Sequence, residues 1–246
     1  MSLEVSAGAY SSAKAPSVKA WDWPTRAFHW ALVLCIFCAW ASFKFADRIG
    51  DPTLIWHRWN GYTILVLLTF RLIWGFVGSS TSRFSAFVTW PWHALRYALD
   101  LASRKSRPFL GHNPLGAWMI LALLGAVTIQ GTLGLFSLEH NELVAGPLKR
   151  LVTHETSEAI TKLHVKGIYV ILGLATLHVT ANILYGIIKK DPLIRAMVTG
   201  TKPAEVYEDQ QEARIATNLN LRAFFCLFMA LLIVFGGITA LGGRIL

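Results

Sequence analysis

Four histidines lie within or at the ends of long apolar segments of this sequence: His29, His57, His164 and His178. Ionisable side chains are costly inside a membrane and are usually functional there. Along an α-helix, the fourteen residues from His164 to His178 span about 21 Å and bring the two side chains to nearly the same face. One helix therefore offers two imidazoles, one near each surface of a membrane.

Each of these two imidazoles has a counterpart of matching depth on another apolar segment. His29 lies near the cytoplasmic start of the first segment and is predicted to pair with His178. His57 lies near the outer start of the second and is predicted to pair with His164. Imidazole binds iron, zinc and copper, but no Cys or carboxylate accompanies these pairs to complete a zinc site. A haem iron needs only two axial ligands from the protein. The pattern therefore predicts two haems b held by these four ligands, and no catalytic residue.

A transporter or channel that uses intramembrane histidines for protons or metal is the alternative that lacks haem. The other four histidines fall in loops or at a helix entrance and are expected to be solvated: His93, His112, His140 and His154. Cys35 and Cys38 form a CxxC that is followed by Ala39, so the covalent haem motif is absent. With Cys226 they lie in apolar segments, where buried, unreactive thiols are expected.

Two glycines and two arginines lie close to the predicted ligands. Gly61 and Gly167 follow His57 and His164 on the same helix faces, where a bare backbone leaves room for a macrocycle or allows close helix packing. Arg71, fourteen residues after His57, has either a haem propionate as its partner or a head group that reaches the lipid surface. Arg26 has the same two options, a propionate or a lipid phosphate.

The composition is that of a membrane protein. The 246 residues are 54% hydrophobic and 15% charged, and they include ten Trp, a balance typical of chains with long apolar spans. The net charge of +9 comes from basic residues between the apolar runs. No nucleic-acid partner is therefore predicted, and membrane lipids are the expected surroundings.

Five apolar segments are each near or above the roughly 20 residues that cross a hydrocarbon core. Their predicted bounds are about 25–45, 54–77, 113–136, 158–188 and 221–241. Asn113 is placed to cap the third helix, and Pro114 suits its first turn. The predicted fold is an all-α membrane protein: a four-helix transmembrane bundle that holds two haems b, plus a fifth C-terminal transmembrane helix.

Charge in the connecting segments predicts the orientation, because cytoplasmic loops collect Lys and Arg. The N-terminal segment, the connection 78–111 and the segment after the fourth apolar run are basic. Five crossings place all three on one side, so the N-terminus is predicted to be cytoplasmic and the C-terminus periplasmic, in a bacterial inner membrane. The expected divisions are a cytoplasmic tail (1–20), the dihaem core (21–200), a cytoplasmic linker (201–220) and the additional helix (221–246).

Several stretches resemble the prokaryotic cytochrome b561 family, which includes the b-type cytochrome subunits of nickel-iron hydrogenases. They are WDWPTRAFHW, WHRWNGY, GHNPLG, KLHVKGIYVILGLATLHV and DPLIRAMVTG, and the resemblance covers about Val18 to Pro203. The resemblance implies a four-helix core with two bis-histidine haems b in contact with quinone. Its ligands fall on the four histidines that depth selects. The fifth apolar segment lies outside the family's common core.

These features predict an electron carrier between the quinone pool and a periplasmic redox partner, such as a c-type cytochrome or a dehydrogenase. One alternative is a stand-alone quinone oxidoreductase that acts on a small molecule such as superoxide. Another is a hydrogenase cytochrome b subunit. The protein is thus either an electron-transfer protein or a quinone-reactive subunit, and the fifth helix offers a surface for a homodimer.

Overall fold

The computed structural model describes residues 16–51, 53–138 and 144–245. His140, which the sequence predicts to be solvated, lies outside these residues. So do residues 1–15, most of the predicted N-terminal tail.

The described chain is mostly helical, because long apolar runs in a membrane must satisfy their backbone hydrogen bonds internally. Two short strands, β1 (Ser17–Lys19) and β2 (Thr201–Pro203), pair antiparallel. In chain order, the helices are α1 (Trp23–Lys44), α2 (Ile55–Val77), α3 (Phe84–Phe87), α4 (Pro91–Ala102), α5 (Pro114–Phe136), α6 (His154–Lys189), α7 (Leu193–Thr199), α8 (Leu219–Leu231) and α9 (Gly237–Ala240).

Among the described residues, five helical segments are long and apolar enough to cross a membrane: α1, α2, α5, α6 and the continuous segment from α8 to α9. The predicted all-α fold with five spans is therefore confirmed. As predicted, Asn113 caps α5, and its side chain accepts a hydrogen bond from Gly116 N at 2.8 Å. The fourth span begins earlier than predicted, because Thr153 caps α6 through Thr156 N.

The spans form two antiparallel hairpins. α1 lies along α2, α5 lies along α6, and α2 contacts α5 between them. An apolar cluster joins the two hairpins in the middle of the bundle, built on Ile64, Leu68, Val127 and Ile171. Ile171 lies halfway between His164 and His178 on α6, so this cluster occupies the depth between the two histidine levels.

The fifth span packs against α2. Small side chains on α8 (Ala223, Cys226 and Ala230) join a buried cluster with Phe70 and Trp74 of α2. Small residues let membrane helices approach closely, so the fifth span is an integral part of the bundle. A π-helical turn (Leu232–Gly236) connects α8 with α9.

We call the end of the bundle at which α1, α5 and α8 begin the proximal end, and the opposite end the distal end. Residues 201–220 pack over the proximal end. The Lys202 ammonium lies 2.9 Å from both carboxylate oxygens of Asp191 and donates to Phe109 O at 2.8 Å. Asp209 accepts hydrogen bonds from the backbone N–H groups of Leu110 and Gly111.

The long connection between α2 and α5 contains an amphipathic helix, α4, where the sequence suggested only a basic stretch. Its exposed side carries large apolar residues, and its buried side carries Ala94 and Tyr97. The Tyr97 hydroxyl lies 2.7 Å from that of Tyr185 on α6, and this contact fixes α4 to the bundle. An amphipathic helix of this kind suits a membrane interface.

Candidate functional site

The structure brings His57 and His164 together across the two hairpins near the distal end. The centroids of their rings are 6.0 Å apart, and the ring planes are nearly perpendicular. His57 is on α2 and His164 is on α6, so neither hairpin alone forms the pair.

Backbone carbonyls hold both rings in a defined orientation. His57 Nδ1 is 2.8 Å from Ala39 O on α1, and His164 Nδ1 is 2.9 Å from Gln130 O on α5. A carbonyl oxygen can only accept, so each Nδ1 carries the proton and donates it. The tautomer that results leaves Nε2 with a free lone pair, which is the arrangement found for histidines that bind a metal.

The spacing of these rings fits two ligands of a single metal ion. Metal–imidazole bonds are about 2 Å long, so two rings bound from opposite sides have centroids roughly 6 Å apart. The donor set is two imidazoles. That set suits a haem iron, because its macrocycle supplies the remaining ligands.

The two glycines that follow the distal ligands have different surroundings. A Cβ built on Gly61 would have no neighbour within 4 Å, so its α2 face adjoins open space that a flat macrocycle could use. A Cβ on Gly167 would collide with the Gln130 side-chain oxygen. Gly61 thus leaves room for a macrocycle, which stays a prediction, and Gly167 matches close helix packing.

Three features that support the distal pair were missed by reasoning from sequence. Gln130 orients His164 through its backbone oxygen, and its side chain donates to His164 O at 2.7 Å. A Cβ on Gly134 would lie 3.1 Å from the His164 ring. Gln130 could have been found as a polar residue within a span. Ala39 has no sequence signal, since only its carbonyl acts.

His29 and His178 lie near the proximal end, close enough to interact electrostatically. His29 Nδ1 is buried and has no hydrogen-bond partner in the described part of the chain, and its ring meets the Trp30 ring edge-on. His178 Nε2 is 3.2 Å from the Asn182 amide nitrogen, which also donates to His178 O at 2.8 Å. Among the described residues, no backbone carbonyl accepts a hydrogen bond from either ring. The orientation of this pair is therefore less constrained than that of the distal pair.

His112 is also at the proximal end, and the expectation that it is solvated is wrong. Its ring centroid lies 4.6 Å from those of Trp21 and Phe87, and its Nδ1 is buried with no hydrogen-bond partner among the residues that the structure describes. The segment before α5 folds back under residues 201–220, which pack over the proximal end, and this removes the His112 ring from water. Burial, together with the nearby charge of Arg71, lowers the pKa of His112 to about 3, so the ring is neutral.

Both arginines that the sequence selected lie at the proximal end. Arg71 is 3% exposed, so its head group does not reach the lipid surface. Its guanidinium lies over the rings of Phe84 and Phe87. Arg26 Nη1 donates to Val198 O at 2.5 Å, and its Nε is buried without a hydrogen-bond partner from the described residues.

The remaining predicted groups lie away from these pairs. His93 and His154 are exposed, and His154 lies 3.3 Å from the Glu158 carboxylate. Cys35, Cys38 and Cys226 are free thiols, the first two partly buried and the third buried.

Comparison with known proteins gives a match over most of the chain. The family model described as prokaryotic cytochrome b561 matches residues 20–200, a range that contains all four candidate ligands. Similar proteins include the probable Ni/Fe-hydrogenase 1 B-type cytochrome subunits of Escherichia coli strain K12 and of Escherichia coli O157:H7. Each is 26% identical over 205 residues, covering 72% of this chain and 87% of the relative.

Proposed function

Because this chain belongs to the prokaryotic cytochrome b561 family, we propose that it holds two haems b and carries electrons across the membrane between quinone and a redox partner. Family membership makes it an integral membrane b-type cytochrome that takes part in electron transfer. The two haems, their ligand pairs, the quinone and the partner belong to the proposal.

One observation carries the proposal: two imidazoles from different hairpins lie 6.0 Å apart, each with Nδ1 on a backbone carbonyl. A bound haem b supplies a one-electron iron couple. His57 and His164 would hold the distal haem, and His29 and His178 the proximal one. If both imidazoles at each level held the iron, no position would remain on it for oxygen or another small molecule.

The rest of the bundle keeps these two levels apart and dry. The buried cluster built on Ile64, Leu68, Val127 and Ile171 lies between them, and an apolar layer of this kind disfavours water and ions. Electrons can cross this apolar layer, whereas protons and ions cannot. The bundle would therefore transfer electrons without letting protons or ions leak across.

We assign the proximal end to the cytoplasm and the distal end to the periplasm. The connection between α2 and α5 and the segment after α6 are rich in Lys and Arg, as cytoplasmic segments are. The N-terminus would then be cytoplasmic, the C-terminus periplasmic, and the redox partner would dock at the distal end. A c-type cytochrome or a dehydrogenase has suitable chemistry.

A nickel-iron hydrogenase is a specific second candidate for that partner. The relatives in Escherichia coli are named as B-type cytochrome subunits of such an enzyme, and the match covers 87% of their length. On this basis the chain would accept electrons from a hydrogenase at the distal end and pass them to quinone.

The haem content of the purified protein tests the core of the proposal. We expect two haems per chain by pyridine haemochrome assay, with Soret and α bands that sharpen on reduction with dithionite. A protein without haem bands would contradict the proposal and favour the proton or metal transporter.

A second measurement distinguishes the possible electron donors: a periplasmic redox protein, a hydrogenase or a small molecule. Mild solubilisation of native membranes should retain a periplasmic redox protein or a hydrogenase with the chain. Purified chain in quinone-containing vesicles should then stay oxidised until that partner is added. Rapid reduction of quinone by superoxide with the purified chain alone would instead support the stand-alone oxidoreductase.

The open space beside Gly61 gives a steric prediction. Gly61→Phe should fill this space and remove the distal haem while the proximal haem is retained, and Gly61→Ala should be tolerated because its Cβ meets nothing within 4 Å. The measurement is the haem-to-protein ratio. Gly236→Phe is the matched control, because Gly236 also lies in a span and has no neighbour within 4 Å of its Cβ. Equal haem content in Gly61→Phe and wild type would show that the macrocycle does not use this space.

A further inference from the structure

Arg71 is a buried cation whose charge the described residues do not neutralise. It is 3% exposed, and its Nη1 has no hydrogen-bond partner within residues 16–51, 53–138 and 144–245. The guanidinium lies 4.8 Å from the ring centroid of Phe84 and 6.0 Å from that of Phe87. Such ring contacts offset only part of the cost of removing a guanidinium from water.

The carboxylate that interacts most with Arg71 is Asp22, but its oxygens already have other donors. One oxygen accepts from Thr25 N at 2.9 Å. The other accepts from Trp74 Nε1, Ser79 N and Ser82 Oγ at 3.2–3.5 Å. Asp22 therefore caps α1 and ties it to the end of α2, and it is not a dedicated partner for the guanidinium.

Lys202 shows what a paired buried cation looks like at the same end of the molecule. Its ammonium lies 2.9 Å from Asp191 and 2.8 Å from Phe109 O. Arg71 has no equivalent of Asp191. Buried charges in proteins are paired or serve a function, so the free Nη1 indicates an anion that binds here.

The position of Arg71 indicates where this anion comes from. Arg71 follows His57 by fourteen residues on α2, so it lies on the same face about 21 Å towards the proximal end. His57 faces α6, and Arg71 therefore points towards the same side of the bundle at the proximal level. His112 interacts electrostatically with both Arg71 and His178, which links the guanidinium to the predicted proximal ligand.

We propose that Arg71 binds a propionate carboxylate of the proximal haem and thereby stabilises the reduced state of its iron. The inference rests on the proposed function, which supplies a haem at this level. The planar guanidinium suits a carboxylate, because it offers two parallel N–H donors. Its charge offsets that of the propionate, which would otherwise favour the ferric iron.

The experiment is a redox titration of Arg71→Gln, done together with His57→Ala so that only the proximal haem is observed. We expect the equilibrium constant for reduction to fall by at least tenfold, which is 59 mV for a one-electron couple. Arg71→Lys keeps the charge but loses the two parallel N–H donors, so this equilibrium constant should fall by a smaller factor. Arg96→Gln, the same change at an exposed position on α4, should leave it unchanged.

A proximal potential in Arg71→Gln equal to that in Arg96→Gln would overturn the inference, although the two haems of the proposed function would stand. Loss of the proximal haem alone, with the distal haem kept in the otherwise unaltered chain, would support it. If Arg71→Gln lost both haems through misfolding, Arg71→Lys would decide, since an unchanged potential there contradicts carboxylate binding and a lowered one supports it. Absence of haem in the unaltered protein would instead refute the proposed function.

Discussion

His57→Ala is expected to remove the distal haem and leave the proximal haem in place, so that the haem-to-protein ratio falls by about half. The reason is that the rings of His57 and His164, from different helices, lie 6.0 Å apart and are proposed to hold one haem between them. Without either imidazole, only one of the two residues that would hold this haem remains. Electron transfer across the membrane should stop, because one of the two levels is missing.

The complete set of four alanine variants tests the pairing. His57→Ala and His164→Ala should both give the reduced-minus-oxidised spectrum of the proximal haem. His29→Ala and His178→Ala should both give that of the distal haem. His93→Ala is the matched control, because His93 is exposed on α4 and its loss should change neither haem. If His57→Ala and His178→Ala gave the same spectrum, the pairing by depth would be wrong.

Lys202→Met should destabilise the protein by about 3–5 kcal/mol, the usual cost of removing one partner of a buried ion pair. The ammonium is fully buried, and Asp191 would keep its charge without a partner. Phe109 O would also lose its donor. Burial lowers the pKa of Lys202, and Asp191 opposes this by favouring the charged form. The free energy of unfolding can be measured by denaturant titration in mixed micelles.

Two controls separate this effect from a general sensitivity of the proximal end. The double variant Lys202→Met/Asp191→Leu should recover much of the loss, because an apolar pair leaves no charge unpaired. Arg107→Met should cost about 1 kcal/mol or less, since the Arg107–Glu208 pair is largely exposed. A Lys202→Met variant as stable as Arg107→Met would show that the contacts of Lys202 with Asp191 and Phe109 O do not stabilise the proximal end.

The architecture could be predicted from the sequence to a large extent. Span length and hydropathy are local properties, so the five spans and the cap at Asn113 were readable in advance. The amphipathic helix α4 was missed. The connection between α2 and α5 was interpreted only by its basic residues, which predict orientation, and the spacing of the apolar residues among them was not considered. The burial of His112 was also missed, since it depends on Trp21 and Phe87, which are distant in the sequence.

For the four histidines too, the sequence predicted some properties and the tertiary structure decided others. The sequence alone determined that they lie at two depths, because helical rise and periodicity convert spacing into height and face. The tertiary structure decided how the distal rings are oriented, since the carbonyls of Ala39 and Gln130 reach them from α1 and α5. It also decided that Gly61 adjoins open space while Gly167 meets Gln130, and that Arg71 is buried. Spacing along one helix fixes depth, but hydrogen bonds and burial depend on neighbouring helices, whose arrangement no local pattern encodes.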